Sequence, residues 1–431
     1  MMEVKNVNGI NRFLFNIKIR SIVFFLFIKQ VFTGKLSPFK LIPVLRRLEF
    51  FLGKLKENKF VSIDGKIRTG LYVPGLPSKP FETACNKFTV FGEKLPNTTV
   101  LISITSACSF NCTHCYQKND IGKDVDLERL LSSVKKIQDS GVAFFNIEGG
   151  EPFIAYDRLK SICTEIDDRS EIWVNSTGHG MTIERLKELK NLGLTAVMFP
   201  LHNHKPAVMN SFMGSDKAWE TISNGVDLCH KAGIAVSFNM CLSRDDFFNE
   251  TFEECMGIAN EKKAAIIQII KPKSAGAWLE EGASEFSNND LSQIREKVMN
   301  YNHNKEYADY PSISAQFMEE DPNMFGCTAG GTDRFYINAK GDVQPCEFLN
   351  VSFGNIAEED FDLIYKRMRE VFRTPKECWL CEKYSGDICD IYKTKNLKSL
   401  PLSPELTEKL INNFDWGENT KLYEKIEKKI V

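Results

Sequence analysis

Between residues 98 and 317, short apolar runs alternate with segments of helical period, and this alternation limits the fold more than any other feature of the chain. The runs are Val100–Ile104, Val142–Ile147, Ile172–Val174, Ala196–Phe199, Ala235–Met240 and Ala265–Ile270, with a weaker one at Ser312–Phe317. The helical segments carry stop signals. Leu127–Ser140 follows Asp126 and ends at Gly141, Ile183–Leu192 ends at Gly193, and Lys217–Ala232 follows Asp216 and ends at Gly233. A capping side chain before and a glycine after are what helix termini require. Apolar strands separated by helices belong in a parallel sheet, because each crossover helix covers a sheet face. A closed eight-unit barrel takes about 250 residues. This stretch is shorter, and the predicted fold is an α/β partial (βα)6 barrel.

The first run leads straight into Ser106–Gln117, "SACSFNCTHCYQ", with Cys108, Cys112 and Cys115 spaced Cys-x3-Cys-x2-Cys. Active sites of (βα) barrels gather at this carboxyl end of the strands. Thiolates suit zinc and iron–sulfur clusters, but a structural zinc takes four closed ligands. A four-iron cluster on three cysteines leaves one iron free for a small molecule. Gly149-Gly150-Glu151-Pro152 follows the second run; glycines let backbone approach a ligand, and a carboxylate accepts hydrogen bonds from an ammonium. Val174–Thr177, "VNST", ends the third run and offers Asn175 and Ser176. His202 and His204 end the fourth, as structural rings or as acid–base groups. Lys271–Ala277, "KPKSAGA", follows the sixth.

"CSFNCTHCY" resembles the signature of the radical S-adenosylmethionine (SAM) enzymes, with His114 where an aromatic residue is common. "GGEP" is similar to that family's second motif and "VNST" to its polar segment near SAM. The resemblance implies a [4Fe-4S] cluster on Cys108, Cys112 and Cys115 whose open iron is chelated by SAM. Gly149, Gly150, Glu151, Pro152, Asn175 and Ser176 would then hold SAM. It further implies reductive cleavage of SAM to a 5′-deoxyadenosyl radical, hydrogen abstraction from an unactivated C–H bond, and a ferredoxin- or flavodoxin-type electron donor.

A second cysteine group comprises Cys327, Cys346, Cys378, Cys381 and Cys389. Arg334–Asn338 and Val343–Pro345 read as a small hairpin that presents Cys346. On spacing alone, a structural zinc knuckle is an alternative to a cluster. The Cys-x13-Gly-x4-Cys arrangement followed by Cys-x2-Cys resembles the SPASM and Twitch extensions of radical SAM enzymes. Five cysteines imply one auxiliary [4Fe-4S] cluster, on Cys327, Cys346, Cys378 and Cys381, with Cys389 replacing one of them or idle. The remaining cysteines (Cys85, Cys163, Cys229, Cys241 and Cys255) read as buried small hydrophobes.

Charge separates the N-terminus from the rest. Residues 1–60 carry twelve Lys/Arg against three Asp/Glu, whereas the whole chain has a net charge of −2 and does not read as a nucleic-acid binder. The apolar core Ile22–Ile28 is followed by Lys29 and lacks a cleavage site, so no secretory leader and a reducing, cytoplasmic compartment are expected. Phe13–Thr33 is apolar but interrupted by Lys18, Arg20 and Lys29, with Arg20 opposite the lysines. Pro43–Lys56 places Val44, Leu45, Leu48, Phe51, Leu52 and Leu55 on one stripe, with Pro43 in the first turn. Such a helix lies either in the inner membrane interface or against the barrel.

The expected organisation is a basic helical arm (1–58), a hairpin and linker (59–97), the barrel (98–318), the SPASM/Twitch-like domain (319–392) and a helical tail (393–431). The expected function is radical SAM chemistry on membrane-lipid alkyl chains, with the arm resting the barrel mouth on the bilayer. The alternatives are a peptide- or protein-modifying maturase and a non-catalytic iron–sulfur or zinc protein.

Overall fold

The computed structural model describes residues 2–89 and 97–428. Residues 90–96 of the expected linker and the last three of the expected tail lie outside the described residues. The chain opens with strand β1 (Val4–Val7), helix α1 (Gly9–Phe32) and helix α2 (Pro38–Lys54), followed by strands β2 (Phe60–Ile63) and β3 (Lys66–Arg68). β2 and β3 are joined at Asp64-Gly65, both in the left-handed region, as a two-residue turn between twisted strands requires.

The barrel strands are β4 (Thr99–Ser103), β5 (Phe144–Glu148), β6 (Glu171–Asn175), β7 (Leu194–Pro200), β8 (Ala235–Met240), β9 (Ile266–Ile269) and β10 (Ser312–Ala315). They run parallel in sequence order, each beside the next. Asp126 caps its helix as expected, accepting from the backbone N–H of Glu128 and Arg129, and Gly233 ends its helix in the left-handed conformation; Asp216 does not cap that helix, which starts at Ala218 with Lys217 at the N-cap and no side-chain cap. The weak seventh run is a strand only to Ala315, and Gln316–Glu319 is helical.

The expected hairpin of Arg334–Asn338 and Val343–Pro345 forms, and it also extends the barrel sheet. β11 (Arg334–Ile337) pairs in parallel with Thr99–Ile102 of β4, and β12 (Val343–Gln344) closes against it antiparallel. The free edge of β4 carries backbone groups that must be satisfied, and β11 satisfies them. The second cysteine group is thereby fixed to the strand that precedes the first.

Side-chain alternation sorts each strand. Val100, Ile102, Phe145, Ile147, Val174 and Val197 face the helices in the main core. Phe144, Trp173, Ala196, Ala235 and Ile266 belong to a different core, shared with Val61, Ile63 and Leu71 of the N-terminal unit. Polar ties agree with this placement. Lys59 Nζ donates to the carbonyls of Tyr307 and Tyr310, Arg68 pairs with Glu171 at the start of β6, and Lys87 pairs with Asp333 at 2.7 Å. The N-terminal unit therefore plugs the starting end of the barrel, opposite the cysteine loop. This corrects the expectation that it rests the barrel mouth on a bilayer.

The two helices of that unit also differ from expectation. α2 begins at Pro38, and Pro43 lies in its second turn. Its apolar stripe is turned inward: Val44, Leu48 and Leu55 are buried, and Leu45, Phe51 and Leu52 are half-buried against the body. Packing on the protein accounts for that stripe. Leu422 and Tyr423 of the tail join the same core. Among the described residues, no helix is long and apolar enough to cross a membrane.

Candidate functional site

The loop after β4 is held before it reaches its first cysteine. Asp124 accepts from Thr105 Oγ1 at 2.6 Å and from the backbone N–H of Ser106 at 2.8 Å. Cys108 is exposed, and Cys112 and Cys115 are half-buried. Together they line a cleft of about 380 Å³, whose far wall includes Gly149, Gly150, Asn175 and Ser176. Burial and the neighbouring sulfurs push the Cys112 thiol up to about 12. Ionising all three thiols there needs a positive charge among them, which a metal cluster supplies.

The glycines of "GGEP" are dictated by close approach. A Cβ on Gly150 would stand 2.3 Å from the carbonyl oxygen of Ala107, and one on Gly149 2.7 Å from that of Thr105. The backbone N–H of Gly150 donates to Thr105 and that of Glu151 to Ala107, at 2.7 and 2.8 Å. The second motif is thus laced to the segment that leads into Cys108. Glu151 is fully buried and points away from the cleft. Its carboxylate accepts from Ser176 Oγ (2.8 Å), Thr177 Oγ1 (2.6 Å) and the backbone N–H of Thr177 (2.7 Å) and Phe153 (3.0 Å). With every donor internal, Glu151 ties "GGEP" to "VNST" and leaves Gly149 and Gly150 as the cleft-facing part of the motif. Pro152 follows it out of the cleft wall.

His114 stacks on Phe212 with ring centroids 4.6 Å apart and meets His202 edge-on at 4.6 Å. Burial pushes its imidazole down to about 4, so it packs as a neutral aromatic in the position where the resemblance calls for one. His202 lines the cleft and is held neutral by burial, with Nδ1 accepting from the backbone N–H of Cys241 at 3.0 Å. The ring proton therefore sits on Nε2. His204 is half-buried and outside the cleft wall.

Lys271–Ala277 serves two neighbours. Ala277 N–H donates to the Cys115 carbonyl at 2.9 Å, and Asn119 holds the Gly276 carbonyl at 2.9 Å. Lys271 and Lys273 both pair with Glu382, at 2.8 and 2.6 Å, and Lys273 Nζ lies 3.0 Å above the Trp379 ring. The segment thus links the cysteine loop to the second cysteine group.

Glu148, which lies outside the motifs, also lines the cleft. It ends β5 beside Gly149. Tyr116 Oη lies 2.7 Å from Oε1, and Asn175 Nδ2 donates to Oε2 at 2.9 Å. Burial, reinforced by Glu347, pushes its carboxyl up to about 8, so it is protonated at neutral pH. The signal was present in the sequence. In "FFNIE" the positions alternate, so Asn146 and Glu148 share the face opposite Phe145 and Ile147.

In the second group, Cys327, Cys346 and Cys381 line one small closed cavity with Glu320, Arg334 and Trp379. Burial pushes the Cys327 thiol up to about 11 and that of Cys381 up to about 12, while Arg334 and Lys273 act in the opposite direction. Arg334 is itself paired with Glu320 at 2.6 Å. Cys378 is half-buried just ahead of the helix Leu380–Thr394, and Cys389 is buried two turns beyond Cys381 on that helix; neither lines the cavity. Cys85, Cys163, Cys229, Cys241 and Cys255 are buried singly, as expected.

A model of the radical SAM superfamily matches residues 102–256, and one of the SPASM iron–sulfur cluster-binding domain matches residues 327–383. The chain carries a radical SAM domain followed by a SPASM domain. It is 24% identical to an AdoMet-dependent heme synthase of Nitratidesulfovibrio vulgaris over 65% of this chain and 83% of that enzyme. It is 23% identical to a GTP 3′,8-cyclase of Campylobacter jejuni over 67% of this chain and 92% of that one. Among solved structures, Streptococcus suis SuiB bound to S-adenosylmethionine superposes with a TM-score of 0.54 at 16% identity, covering 75% of this chain and 80% of that one. The fold is therefore a radical SAM barrel with a C-terminal SPASM domain, and the protein is an enzyme.

These domains imply a SAM-bound [4Fe-4S] cluster and auxiliary iron–sulfur binding. The residues present fit both. Three thiols border an open cleft beside two glycines, and Asn175 Oδ1 and His114 Nδ1 are buried in its wall without hydrogen-bond partners. A polar ligand in the cleft would satisfy them. The second group offers buried thiols with a guanidinium and an ammonium to offset their charge. When bound, the cluster and SAM supply a hydrogen-abstracting radical; the protein positions, shields and hydrogen-bonds.

Proposed function

We propose that this enzyme abstracts a hydrogen atom from an unactivated C–H bond of a peptide or protein substrate. Cys108, Cys112 and Cys115 hold the catalytic cluster in this reading. Gly149, Gly150, Asn175 and Ser176 hold SAM, and Cys327, Cys346 and Cys381 contribute to one auxiliary cluster. The observation that carries the substrate class is the polarity of the barrel interior beside the cysteine loop. Protonated Glu148, Tyr116, Gln117, Asn175 and Asn239 line the cleft, and a site rich in buried hydrogen-bonding groups discriminates against a ligand that leaves them unpaired. Most of these groups pair with one another, but Asn175 Oδ1 is buried in the cleft wall without a partner; an alkyl chain would leave it so, and an amide N–H would not. The orientation of the barrel agrees, since its cysteine-bearing end lies opposite the N-terminal unit. Support also comes from the structural relative SuiB bound to its precursor peptide SuiA, with a TM-score of 0.53 at 17% identity over 74% of this chain.

Glu148 would donate a hydrogen bond to a substrate carbonyl, and Lys273, between the two cysteine groups, would hold the auxiliary domain against the barrel. The alternative is radical modification of membrane-lipid alkyl chains. Isotope transfer separates the two. The reduced, cluster-loaded enzyme is incubated with SAM and either a perdeuterated peptide fraction or a perdeuterated lipid extract. Deuterium in 5′-deoxyadenosine from the peptide fraction alone is expected; deuterium from the lipid extract alone overturns the proposal.

A further inference from the structure

α1 has two apolar faces. Phe15, Ile19, Val23 and Phe27, four residues apart, are buried against the body of the protein. A helix turns about 100° per residue, so Phe13, Leu14, Ile17, Phe24, Phe25 and Phe32 collect on the opposite side. They are 43 to 86% exposed. Phe39 and Ile42 of α2 continue the patch at 93 and 59% exposure. Of the fourteen large apolar side chains exposed among the described residues, nine lie between residues 10 and 42. Scattered surface leucines need no explanation, but a contiguous patch marks an interaction surface.

The charge around the patch identifies its partner. Residues 9–54 carry nine Lys/Arg and a single acid, Glu49. On the helical wheel, exposed Lys18 and Lys29 flank the apolar stripe on one side with no acid in the helix, and Arg20, paired with Glu49 at 2.6 Å, lies on the other. The apparent flaw in the amphipathicity of Phe13–Thr33 is thus a stripe with cations at both margins. A second copy of this chain would set these cations against their own kind, which costs affinity. An anionic bilayer supplies both an apolar layer for the phenylalanines and phosphates for the margins. An open trough of about 930 Å³ between α1 and α2, floored by Val23, Leu45 and Leu48 and edged by Arg46, opens beside the patch.

We infer that the outer face of α1, with Phe39 and Ile42, docks in the interface of an anionic bilayer and keeps the cysteine-bearing end of the barrel off the membrane. The docking does not depend on the substrate chosen above. The full chain is sedimented with vesicles of phosphatidylcholine, with and without phosphatidylglycerol. Binding is expected on the anionic vesicles and is weakened by salt. Replacing Phe13, Phe25 and Phe32 by serine should lower it at least about tenfold, since the apolar area these rings bury in the bilayer drives the binding. Leucine at the same positions should largely preserve binding. Because these side chains are already in solvent, 5′-deoxyadenosine formation should be unchanged in both variants and certifies the fold. A wild-type chain that stays in the supernatant with both vesicle types overturns the inference, as does serine-variant binding equal to wild type. A salt-insensitive dimer that the serine substitutions dissolve, seen by sedimentation velocity without vesicle binding, assigns the face to a second copy and overturns it too.

Discussion

Gly150→Ala tests how "GGEP" and the cysteine loop depend on each other. The added Cβ would lie 2.3 Å from Ala107 O, 2.6 Å from Ala107 C and 2.8 Å from Ser106 O. All three are backbone atoms, so no side chain can swing aside. The two segments must part, which stretches the Gly150–Thr105 and Glu151–Ala107 hydrogen bonds. Overpacking costs about 1–3 kcal/mol and each hydrogen bond about 1 kcal/mol, so the total is about 3–5 kcal/mol. Ala107 precedes Cys108, so the same displacement moves a cluster thiol. Gly257→Ala is the internal control. It lies in the helix Thr251–Glu261 with nothing within 4 Å of the new methyl, and should stabilise by up to about 1 kcal/mol. The assay is anaerobic thermal unfolding alongside iron content and SAM titration. Gly150→Ala should melt lower, and at temperatures where it is still folded it should bind SAM at least about tenfold more weakly. Wild-type melting, iron content and SAM affinity in Gly150→Ala would refute the packing argument.

The raised carboxyl of Glu148, at about 8 against 4.5 for the unperturbed group, makes a pH prediction. Between those values the folded protein keeps a proton that the unfolded chain releases, so the cost of this residue grows with rising pH and is complete above about 8. Glu148→Gln should therefore match wild type near pH 5 and be the more stable protein near pH 9, by at most about 5 kcal/mol; a difference that does not change with pH refutes a protonated Glu148. Cys381→Ala should lower iron content by about one cluster, whereas Cys389→Ala should leave it near wild type; iron analysis with the reverse result would exchange their roles. Glu151→Gln should lower SAM affinity through loss of the Ser176 and Thr177 tether, and Ser176→Ala made in that background should add little, because both act through one link; fully additive losses in a SAM titration would contradict the tether.

The barrel was legible because each of its strands is short, apolar and bounded by caps and glycines, so local signals agree with the tertiary answer. Cys108, Cys112, Cys115 and "GGEP" were legible because their spacing is itself the chemistry. The direction in which Glu151 points was not, since sequence shows a carboxylate but not how many donors surround it. Glu148 was passed over because one carboxylate at a strand end resembles an ordinary turn residue. Its significance lies in burial and in Tyr116 and Asn175, which arrive from other loops. The insertion of β11 beside β4 joins residues more than 230 apart in sequence, and no local pattern announces such a pairing. The N-terminal helices misled for a related reason. The cleaner stripe, on α2, faces inward, and the apparently imperfect one, on α1, is apolar on both sides.

The central claim is that Cys108, Cys112 and Cys115 hold the cluster that cleaves SAM. The most direct measurement is 5′-deoxyadenosine release from anaerobically reconstituted, reduced protein, compared between wild type and Cys112→Ala. Wild type should release 5′-deoxyadenosine, while Cys112→Ala should release none and lose about four irons while its SPASM domain keeps its own. Undiminished 5′-deoxyadenosine formation by Cys112→Ala would contradict the account.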